Sequence, residues 1–242
     1  MHDRRDQGPV DLRLAWDTHA EKWARWARTP GHDSYEHFHR DRFFDLLPPA
    51  GKLTVDLGCG EGRLGRDLMA RGHRVVGVDG SPTLAALAAT ADPRQPTALA
   101  DAAALPMRAG VADLAVAMLS LQDMDDLEGA VREAGRVLVP GGRFCFAIVH
   151  PMNSAGEFVS SDVDSPWVMT GDYFDARHYV DEIEREGLPM TFVSMHRPLE
   201  AISVALEDGG FLIEAMREVS PRDKATRWSR LPGFLDVRAV RP

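Results

Sequence analysis

The sequence predicts an α/β protein with a doubly wound, mostly parallel sheet. Three observations indicate this fold. Short apolar segments alternate with helical patterns from residue 52 onwards, and the segment 112–118 is apolar on both faces, as a strand between two helix layers would be. A glycine-rich turn, 58–62, directly follows the first apolar segment and leads into a helical pattern.

Two helices are predicted before the sheet. The segment 11–28 forms one that ends at Pro30-Gly31, because its apolar residues recur at helical spacing, at positions 12, 16, 20, 23 and 27. The second runs from Ser34, as its N-cap, to about Leu46. We expect residues 1–49 to form a helical lid.

The predicted core spans residues 50–150 and continues in 196–242. Helices are expected over 62–71, from Ser81-Pro82 to Thr90, and over 125–138 and 198–208; serine before proline is a typical helix start. The predicted strands are 53–57, 74–78, 97–100, 112–118, 143–149, 211–219 and 234–240.

The alternation of strands and helices lapses over residues 151–195. Within this insertion, 153–172 is rich in Ser, Gly and Asp and predicts a mobile lid. The segment 177–195 fits a hairpin that turns at Glu186-Gly187. We expect the insertion to cover the substrate pocket.

Composition limits the partners. The net charge of −9 opposes binding to a phosphate backbone, so DNA and RNA are not expected as substrates. No apolar run approaches the ~18 residues that a membrane span needs, and the N-terminus lacks the apolar core of a secretory signal. Only two cysteines, Cys59 and Cys145, are present, which fits a reducing cytoplasm. We expect a cytoplasmic monomer or homodimer that binds a small-molecule substrate.

The segment Asp56-x-Gly58-x-Gly60-x-Gly62 joins the first predicted strand to a helix. Glycines at such a turn let the backbone approach a ligand closely. The helix N-terminus adds free N–H groups and the positive end of the helix dipole. These groups suit the carboxylate and ribose of an adenosyl amino acid, or a pyrophosphate.

The same turn also fits a dinucleotide. Residues 60–65 match G-x-G-x-x-G, and Asp79 lies 19 residues after Gly60, near the ~20 residues typical of the ribose-binding acid in dinucleotide folds. Both cofactors carry a ribose diol that a carboxylate can bind through two hydrogen bonds. Neither the turn nor Asp79 therefore separates the two cofactors.

Three further features favour the adenosyl amino acid. Asp56 precedes the glycines, where an acid can orient an ammonium group directly or through water. Asp101 follows the third strand, where an acid or its neighbouring amides can bind the exocyclic amine of adenine. Pro140-Gly141-Gly142 joins a helix to the fifth strand. The set is specific because its members occur in this order at strand ends.

These motifs resemble those of the class I, seven-stranded S-adenosylmethionine-dependent methyltransferases, and most of all their small-molecule branch with a helical N-terminal lid. Val55–Arg63 matches the family's glycine-rich motif, Val76–Ser81 its acidic motif, and Leu138–Gly142 its L-x-P-G-G turn. Met118–Asp123 corresponds to the segment that flanks the methionine end. The resemblance implies the sheet order 3-2-1-4-5-7-6, with strand seven antiparallel.

The resemblance also implies S-adenosylmethionine as cofactor and S-adenosylhomocysteine as product. Nucleic-acid and protein-amide methylating members often carry N/D-P-P-Y/F after strand four, and Ser120–Asp123 departs from that motif. The departure favours a small-molecule acceptor. For Cys59, packing is expected rather than catalysis. The implied cofactor-binding residues are Asp56, Gly58, Cys59, Gly60, Arg63, Asp79, Gly80, Ser81, Asp101, Ala102 and Leu119.

Two residues are candidates for catalysis. His150 ends the fifth strand at the carboxyl edge, where it could act as base or acceptor orienter, or else cap a helix. Tyr35 could close over the methionine end or contact the acceptor. His196 is expected to cap a helix, whereas His37 and His39 could face the pocket or solvent. The spacing of His, Asp and Glu indicates no metal site.

Aromatic and titratable side chains are concentrated in the two lid segments and suit a flat, largely apolar acceptor. They are Trp23, Trp26, Tyr35, His37, Phe38 and His39 before the sheet, and His150, Trp167, Tyr173, Phe174, His178 and Tyr179 after it.

The sequence thus predicts an S-adenosylmethionine-dependent methyltransferase acting on oxygen, nitrogen or carbon of a small aromatic or keto-type natural product. Two alternatives remain at this point. One is an NAD(P)-dependent oxidoreductase. The other is a methyltransferase-fold protein that binds the cofactor without methyl transfer, such as one repurposed for cyclisation.

Overall fold

The computed structural model describes residues 3–7 and 10–242 of the chain. Its strands are β1 (Asp3–Gln7), β2 (Thr54–Leu57), β3 (Val75–Asp79), β4 (Thr97–Leu99), β5 (Ala112–Met118), β6 (Leu138–Val149), β7 (Gly156–Phe158), β8 (Trp167–Met169), β9 (Arg177–Arg185), β10 (Leu188–His196), β11 (Leu212–Val219) and β12 (Phe234–Val240). Its α-helices are α1 (Leu12–Arg28), α2 (Arg40–Phe44), α3 (Arg63–Ala70), α4 (Pro82–Ala91), α5 (Leu127–Val137), α6 (Pro151–Ser154) and α7 (Leu199–Asp208).

The central sheet contains seven strands in the order β4-β3-β2-β5-β6-β12-β11. Strand β12 runs antiparallel to both of its neighbours, whereas β4, β3, β2, β5 and β6 pair in parallel. Counted along the core, this is the order 3-2-1-4-5-7-6 with strand seven antiparallel, so the predicted fold is confirmed. Because the five parallel strands share a direction, their carboxyl ends meet at one edge.

The core strands follow the predicted segments to within a few residues, because apolar side chains leave water on both faces of the sheet. In β5 the side chains of Leu114, Ala115 and Val116 are each at most 1% exposed. Strand β6 begins at Leu138, earlier than predicted, since Leu138 pairs with Ala112 before a register shift in β5.

The N-terminal helix is confirmed, but the start of the second helical segment differs from the prediction. Helix α1 is capped by Asp11, whose side chain accepts a hydrogen bond from the backbone N–H of Leu14 at 2.8 Å. The second segment opens as one turn of π-helix, Tyr35–His39, before α2. Ser34 makes no side-chain capping bond; instead Asp33 Oδ1 accepts from the N–H of Tyr35 at 3.2 Å.

The insertion after β6 is more regular than its composition predicts. The segment 153–172, expected as a mobile lid, contains the end of α6 and the antiparallel pair β7–β8. The predicted hairpin is present as β9–β10, with Glu186 and Gly187 at positive φ in its turn. Strand β1 was not predicted; it pairs with β9 and completes a three-stranded sheet.

Helix α1 packs against β10 through aromatic rings and thereby places the small sheet over the large one. Phe192 of β10 lies 6.3 Å from Trp16 and 5.9 Å from Trp23, between ring centroids. Along residues 3–7 and 10–242, no helix combines the length and apolarity required to cross a membrane.

Gly135 of α5 packs against the backbone at the end of α7. A Cβ atom added there would lie 2.6 Å from the backbone oxygen of Gly209, which cannot rotate away. We expect Gly135→Ala to lower the free energy of unfolding by roughly 1–3 kcal/mol despite the better helix propensity of alanine. Thermal denaturation measures this loss, with Arg132→Ala on the exposed face of the same helix as a near-neutral control. A higher Tm for Gly135→Ala would contradict the packing described.

Candidate cofactor and acceptor site

A large cavity of about 670 Å³ lies at the carboxyl ends of β2, β3 and β5. Its volume is in the range of pockets that hold drug-sized ligands. All eleven residues predicted to bind the cofactor line it, and so does Tyr35. The structure therefore brings together residues that the sequence spreads over 35–119.

The glycine-rich turn forms one wall of the cavity. Gly58, Gly60 and Gly62 have φ of 68°, 59° and 85°, a region that side chains rarely adopt. A Cβ atom on Gly58 would lie 2.5 Å from Cβ of Ser120, whose hydroxyl donates to the backbone oxygen of Leu57 at 2.7 Å. The turn thus needs glycine for both its backbone conformation and its close packing.

Asp79 ends β3 and organises the turn beside it. Its Oδ2 accepts a hydrogen bond from the N–H of Gly60 at 2.8 Å, and its Oδ1 accepts from the N–H of Ser81 at 2.9 Å. Burial raises the pKa of Asp79 to about 6, although these two donors favour the charged form. Each oxygen keeps further lone pairs, so the carboxylate can still accept bonds from a ligand diol.

Asp56 is the strongest sign of an expected ligand. The side chain is only 1% exposed and lines the cavity, and its Oδ2 has no hydrogen-bond partner. Burial, and then the neighbouring charge of Asp79, raises the pKa of Asp56 to about 7. A buried carboxylate without a partner is costly, and a cationic group in the cavity would supply what it lacks.

The far end of the cavity is formed after β4 and β5. Asp101 Oδ1 accepts a hydrogen bond from the N–H of Ala103 at 2.8 Å. Asp101 and its neighbour Ala102 both line the cavity. Leu119 has φ of 53°, an uncommon conformation for a branched side chain. Strained residues of this kind cluster at ligand sites because the surrounding fold holds them there.

Arg63 and Tyr35 line the cavity but are largely committed to the protein itself. The Arg63 guanidinium forms an ion pair with Asp33 and lies 4.2 Å from the ring centroid of Tyr35. The hydroxyl of Tyr35 donates to Asp67 at 2.9 Å. Burial and then Asp67 raise the pKa of Tyr35 above its ordinary value, so a phenolate base is disfavoured and Tyr35 serves as a wall.

The expectation that His150 faces the cavity is not met. His150 is buried and does not line the cavity. Its Nδ1 accepts from the N–H of Met152 at 2.9 Å, as the N-cap of α6, and its Nε2 lies 3.2 Å from Glu218. The sequence could not show this, because capping depends on how the chain turns after β6. His150 therefore has the capping role that was its alternative.

The other histidines divide between the cavity and the scaffold. His39 is buried against Phe234, with ring centroids 4.3 Å apart, and lines the cavity. Burial, then Arg63 and Arg42, lowers the pKa of His39 to about 3, so the ring is neutral. His37 is exposed and does not line the cavity.

His196 is part of the scaffold rather than a helix cap. The ring is fully buried, with Nδ1 2.6 Å from the hydroxyl of Ser154 and Nε2 2.9 Å from the backbone oxygen of Tyr173. The helix after it is capped by Pro198 without a side-chain bond. His196 thus links the insertion to the start of α7.

Asp123 lines the cavity, but sequence reasoning names it only as the end of the segment Met118–Asp123 and not as a candidate site residue. It follows β5 in a 3₁₀ turn, lines the cavity, and accepts the hydroxyl of Ser194 at 2.6 Å. Burial raises its pKa to about 8, while Ser194 and the charge of Arg197 oppose the shift. Asp123 is half-buried among the residues that line the cavity. Its position after a central strand was the available signal.

The aromatic wall of the cavity agrees with the prediction for the segment before the sheet but not for the insertion. Trp23, Trp26, Tyr35, Phe38 and His39 line the cavity as expected. Trp167, Tyr173, Phe174, His178 and Tyr179 do not, because the insertion turns these side chains towards its own strands or towards solvent. The missed members of the wall are Trp16, Phe192, Trp228 and Phe234.

Cys59 packs as expected. It is buried, its Sγ would lie 2.9 Å from a Cβ on Gly77, and burial raises its thiol pKa well above the ordinary value. Within the described part of the chain, no group of three or more His, Cys, Asp and Glu side chains could hold a metal ion.

Asp56 makes a stability prediction that needs no ligand. Its carboxyl ionises near pH ~3.9 when unfolded and at about 7 when folded. Between these values the folded state binds more protons, so the free energy of unfolding falls as pH rises. Asp56→Asn removes this penalty. We expect its Tm, relative to the native protein, to increase between pH 5 and pH 8, by roughly 3 °C or more.

The matched control is Asp164→Asn, which removes an exposed carboxylate. Its Tm difference from the native protein is expected to stay flat with pH. A pH-independent difference for Asp56→Asn would show that Asp56 ionises normally in the folded protein.

Comparison with known proteins agrees with this site. A family model described as a methyltransferase domain matches residues 55–146. A malonyl-[acyl-carrier protein] O-methyltransferase of Salmonella typhimurium is 35% identical over 116 residues, which are 48% of this chain and 46% of that protein. A 2-phytyl-1,4-naphtoquinone methyltransferase of Thermosynechococcus vestitus is 33% identical over 138 residues, 54% of this chain and 60% of that protein. The chain thus spans about half the length of these curated relatives.

A solved structure matches over a longer range. The S-adenosylmethionine-dependent methyltransferase of Mesorhizobium loti aligns with a TM-score of 0.68 and 29% identity, covering 83% of this chain and 96% of that one. The matched domain contains the glycine-rich turn, Asp79 and β5, and the sheet order is the one expected for this fold. Residues 55–146 therefore match a methyltransferase domain, and over most of its length the chain is similar in fold and sequence to a solved S-adenosylmethionine-dependent methyltransferase.

Proposed function

We propose that this protein transfers a methyl group from S-adenosylmethionine to oxygen, nitrogen or carbon of a small, flat, aromatic or keto-type acceptor. The observation that supports the proposal most strongly is the unpartnered Oδ2 of Asp56, a residue that lines the cavity beside the glycine-rich turn and the carboxylate of Asp79. A cofactor with both an ammonium group and a ribose diol fits these two acids.

The eleven lining residues fit the cofactor from its amino acid to its adenine. In this placement Asp56 accepts a hydrogen bond from the ammonium group. Gly58 and Gly60 let the amino-acid part of the cofactor approach the backbone closely, while their own N–H groups donate to Val78 and Asp79. Asp79 accepts the ribose hydroxyls. Asp101 accepts a hydrogen bond from the exocyclic amine of adenine, and the backbone N–H of Ala102 donates to a ring nitrogen of the base. We assign Arg63 a supporting role, since Asp33 already neutralises it.

Bound S-adenosylmethionine supplies an electrophilic methyl group on a sulfonium. The protein must hold the acceptor atom about 3 Å from that methyl and in line with the sulfur. We propose that residues 1–49 and 151–195 act as lids for this purpose. The rings of Trp26, Phe192 and Phe234 from these lids and from β12 would sandwich a flat acceptor and exclude water.

Two polar groups in the acceptor half can handle a proton or orient the acceptor. His39 is neutral and has an unpartnered Nε2, so it can hydrogen-bond an acceptor group. Asp123 lies in the same cavity at the end of β5. These residues replace His150 in the acceptor role, since His150 caps α6.

Cofactor identity is tested by isothermal titration calorimetry. We expect micromolar binding of S-adenosylhomocysteine and no measurable binding of NADH or NADPH. Asp79→Ala is expected to weaken S-adenosylhomocysteine binding by about 10- to 100-fold, because charge-assisted hydrogen bonds to the ribose are lost.

The control is Asp164→Ala, an exposed acid outside the cavity, which should bind as the native protein does. Circular dichroism confirms that each variant is folded. Binding of a nicotinamide cofactor without S-adenosylhomocysteine would overturn the proposed function. Unchanged affinity in a folded Asp79→Ala would overturn the ribose placement alone.

A further inference from the structure

We propose that the methyl acceptor is an amine that arrives protonated, and that Asp123 and an aromatic wall beside it bind the ammonium group. The wall is formed by Trp16, Trp23 and Phe192. This inference rests on the proposed methyltransferase function and narrows its acceptor atom to nitrogen.

The three rings pack against one another edge to face at one side of the cavity. Their centroids lie 5.8, 6.3 and 5.9 Å apart for Trp16–Trp23, Trp16–Phe192 and Trp23–Phe192, and their planes are 86°, 69° and 73° to one another. All three rings line the cavity. An ammonium group bound against the cavity side of one of these rings would gain cation–π attraction.

Trp23 already attracts a cation in this structure. The guanidinium carbon of Arg63 lies 5.4 Å from its ring centroid, and Asp33 neutralises that charge. The wall therefore attracts cations. Because Asp33 neutralises Arg63, the guanidinium does not repel a cationic ligand bound nearby. Trp16 is fixed by its indole N–H, which donates to the backbone oxygen of Val193 at 3.0 Å.

Asp123 supplies a carboxyl group to the same cavity, and a bound ammonium group would favour its charged form. Its Oδ1 accepts the Ser194 hydroxyl at 2.6 Å, and its Oδ2 accepts the amide of Gln122 at 3.2 Å. Ser194 is two residues from Phe192 on β10, so this hydrogen bond holds Asp123 against the strand that carries one ring of the wall. Among the described residues, no Lys, Arg or His side chain forms an ion pair with Asp123. Arg197, which is close, donates to the backbone oxygens of Met124 and Asp125 instead.

The neighbouring acids of the cavity have structural partners. Asp125 accepts the N–H of Leu12 at 3.0 Å at the start of α1, and Asp126 accepts the N–H of Gly129 at 2.7 Å as the cap of α5. Asp123 differs from these two acids because its hydrogen bonds come from the side chains of Ser194 and Gln122 and not from the start of a helix. Burial raises the pKa of Asp123 to about 8, although the charge of Arg197 opposes the shift.

The charge of the whole cavity supports a cationic acceptor. Its described lining contains nine carboxyl groups and three guanidinium groups. Glu61 pairs with Arg28 and Arg66, and Asp33 pairs with Arg63, yet acids still outnumber bases. An acidic cavity raises the local concentration of cationic acceptors and disfavours anionic ones that carry a carboxylate.

The transfer step balances with these groups. An ammonium nitrogen has no lone pair, so it must first lose a proton, and the carboxylate of Asp123 accepts it. The nitrogen then forms a bond to the methyl carbon as the carbon–sulfur bond breaks and its electron pair goes to sulfur. The raised pKa of Asp123 makes its carboxylate a stronger base than an exposed one.

Matched amine and alcohol pairs test this inference by calorimetry at pH 7, with saturating S-adenosylhomocysteine. The probes are 2-phenylethylamine against 2-phenylethanol, and tryptamine against tryptophol, which share shape and differ in charge. We expect each amine to bind at least about tenfold more tightly than its alcohol. In Asp123→Asn the preference should fall below about twofold, whereas Asp164→Asn should retain it. Phe192→Leu should weaken the amine more than the alcohol.

The outcomes separate the inference from the function on which it rests. S-adenosylhomocysteine affinity is measured in each variant first, and its absence from the native protein would overturn the proposed function. If it binds, but no amine binds or the alcohols bind equally well, the cationic acceptor is wrong. An amine preference that survives in Asp123→Asn would overturn the assignment to Asp123.

Discussion

The carboxylate of Asp79 is where the sheet, the glycine-rich turn and the N-terminal helix meet. One oxygen holds the N–H of Gly60 and the other holds that of Ser81. The Ser81 hydroxyl in turn donates to Asp17 of α1 at 2.5 Å. Because burial makes this charge costly, the two backbone donors are needed to keep it. The same carboxylate that fixes the local fold also lines the cavity.

A second constraint joins the two halves of the cavity. Arg63 begins α3 after the glycine-rich turn. Its ion pair with Asp33 holds the N-terminal segment against the part of the cavity where the cofactor is proposed to bind. Phe192 of β10 fastens the insertion to α1 through Trp16, Trp23 and Trp26. The acceptor half is therefore assembled from segments far apart in the chain, whereas the cofactor half comes from one continuous stretch.

That difference explains what could be predicted from the sequence. Local sequence patterns predict the strands of the sheet and the N-cap at Ser81. They also predict the eleven residues expected to bind the cofactor, all of which line one cavity. Strand β1 was missed because its polar side chains carry no strand pattern; its pairing with β9 uses the backbone. His150, Phe192 and Asp123 were missed or misplaced because capping, ring packing and burial depend on contacts between distant segments.

A crystal structure of the complex with S-adenosylhomocysteine tests the central claim most directly, which is that two buried acids at adjacent strand ends define the cofactor site. The account predicts the amino group within hydrogen-bond distance of Asp56 Oδ2, or one water away, and both ribose hydroxyls on Asp79. A complex in which the ribose is bound elsewhere, with Asp56 still unpartnered, would contradict it.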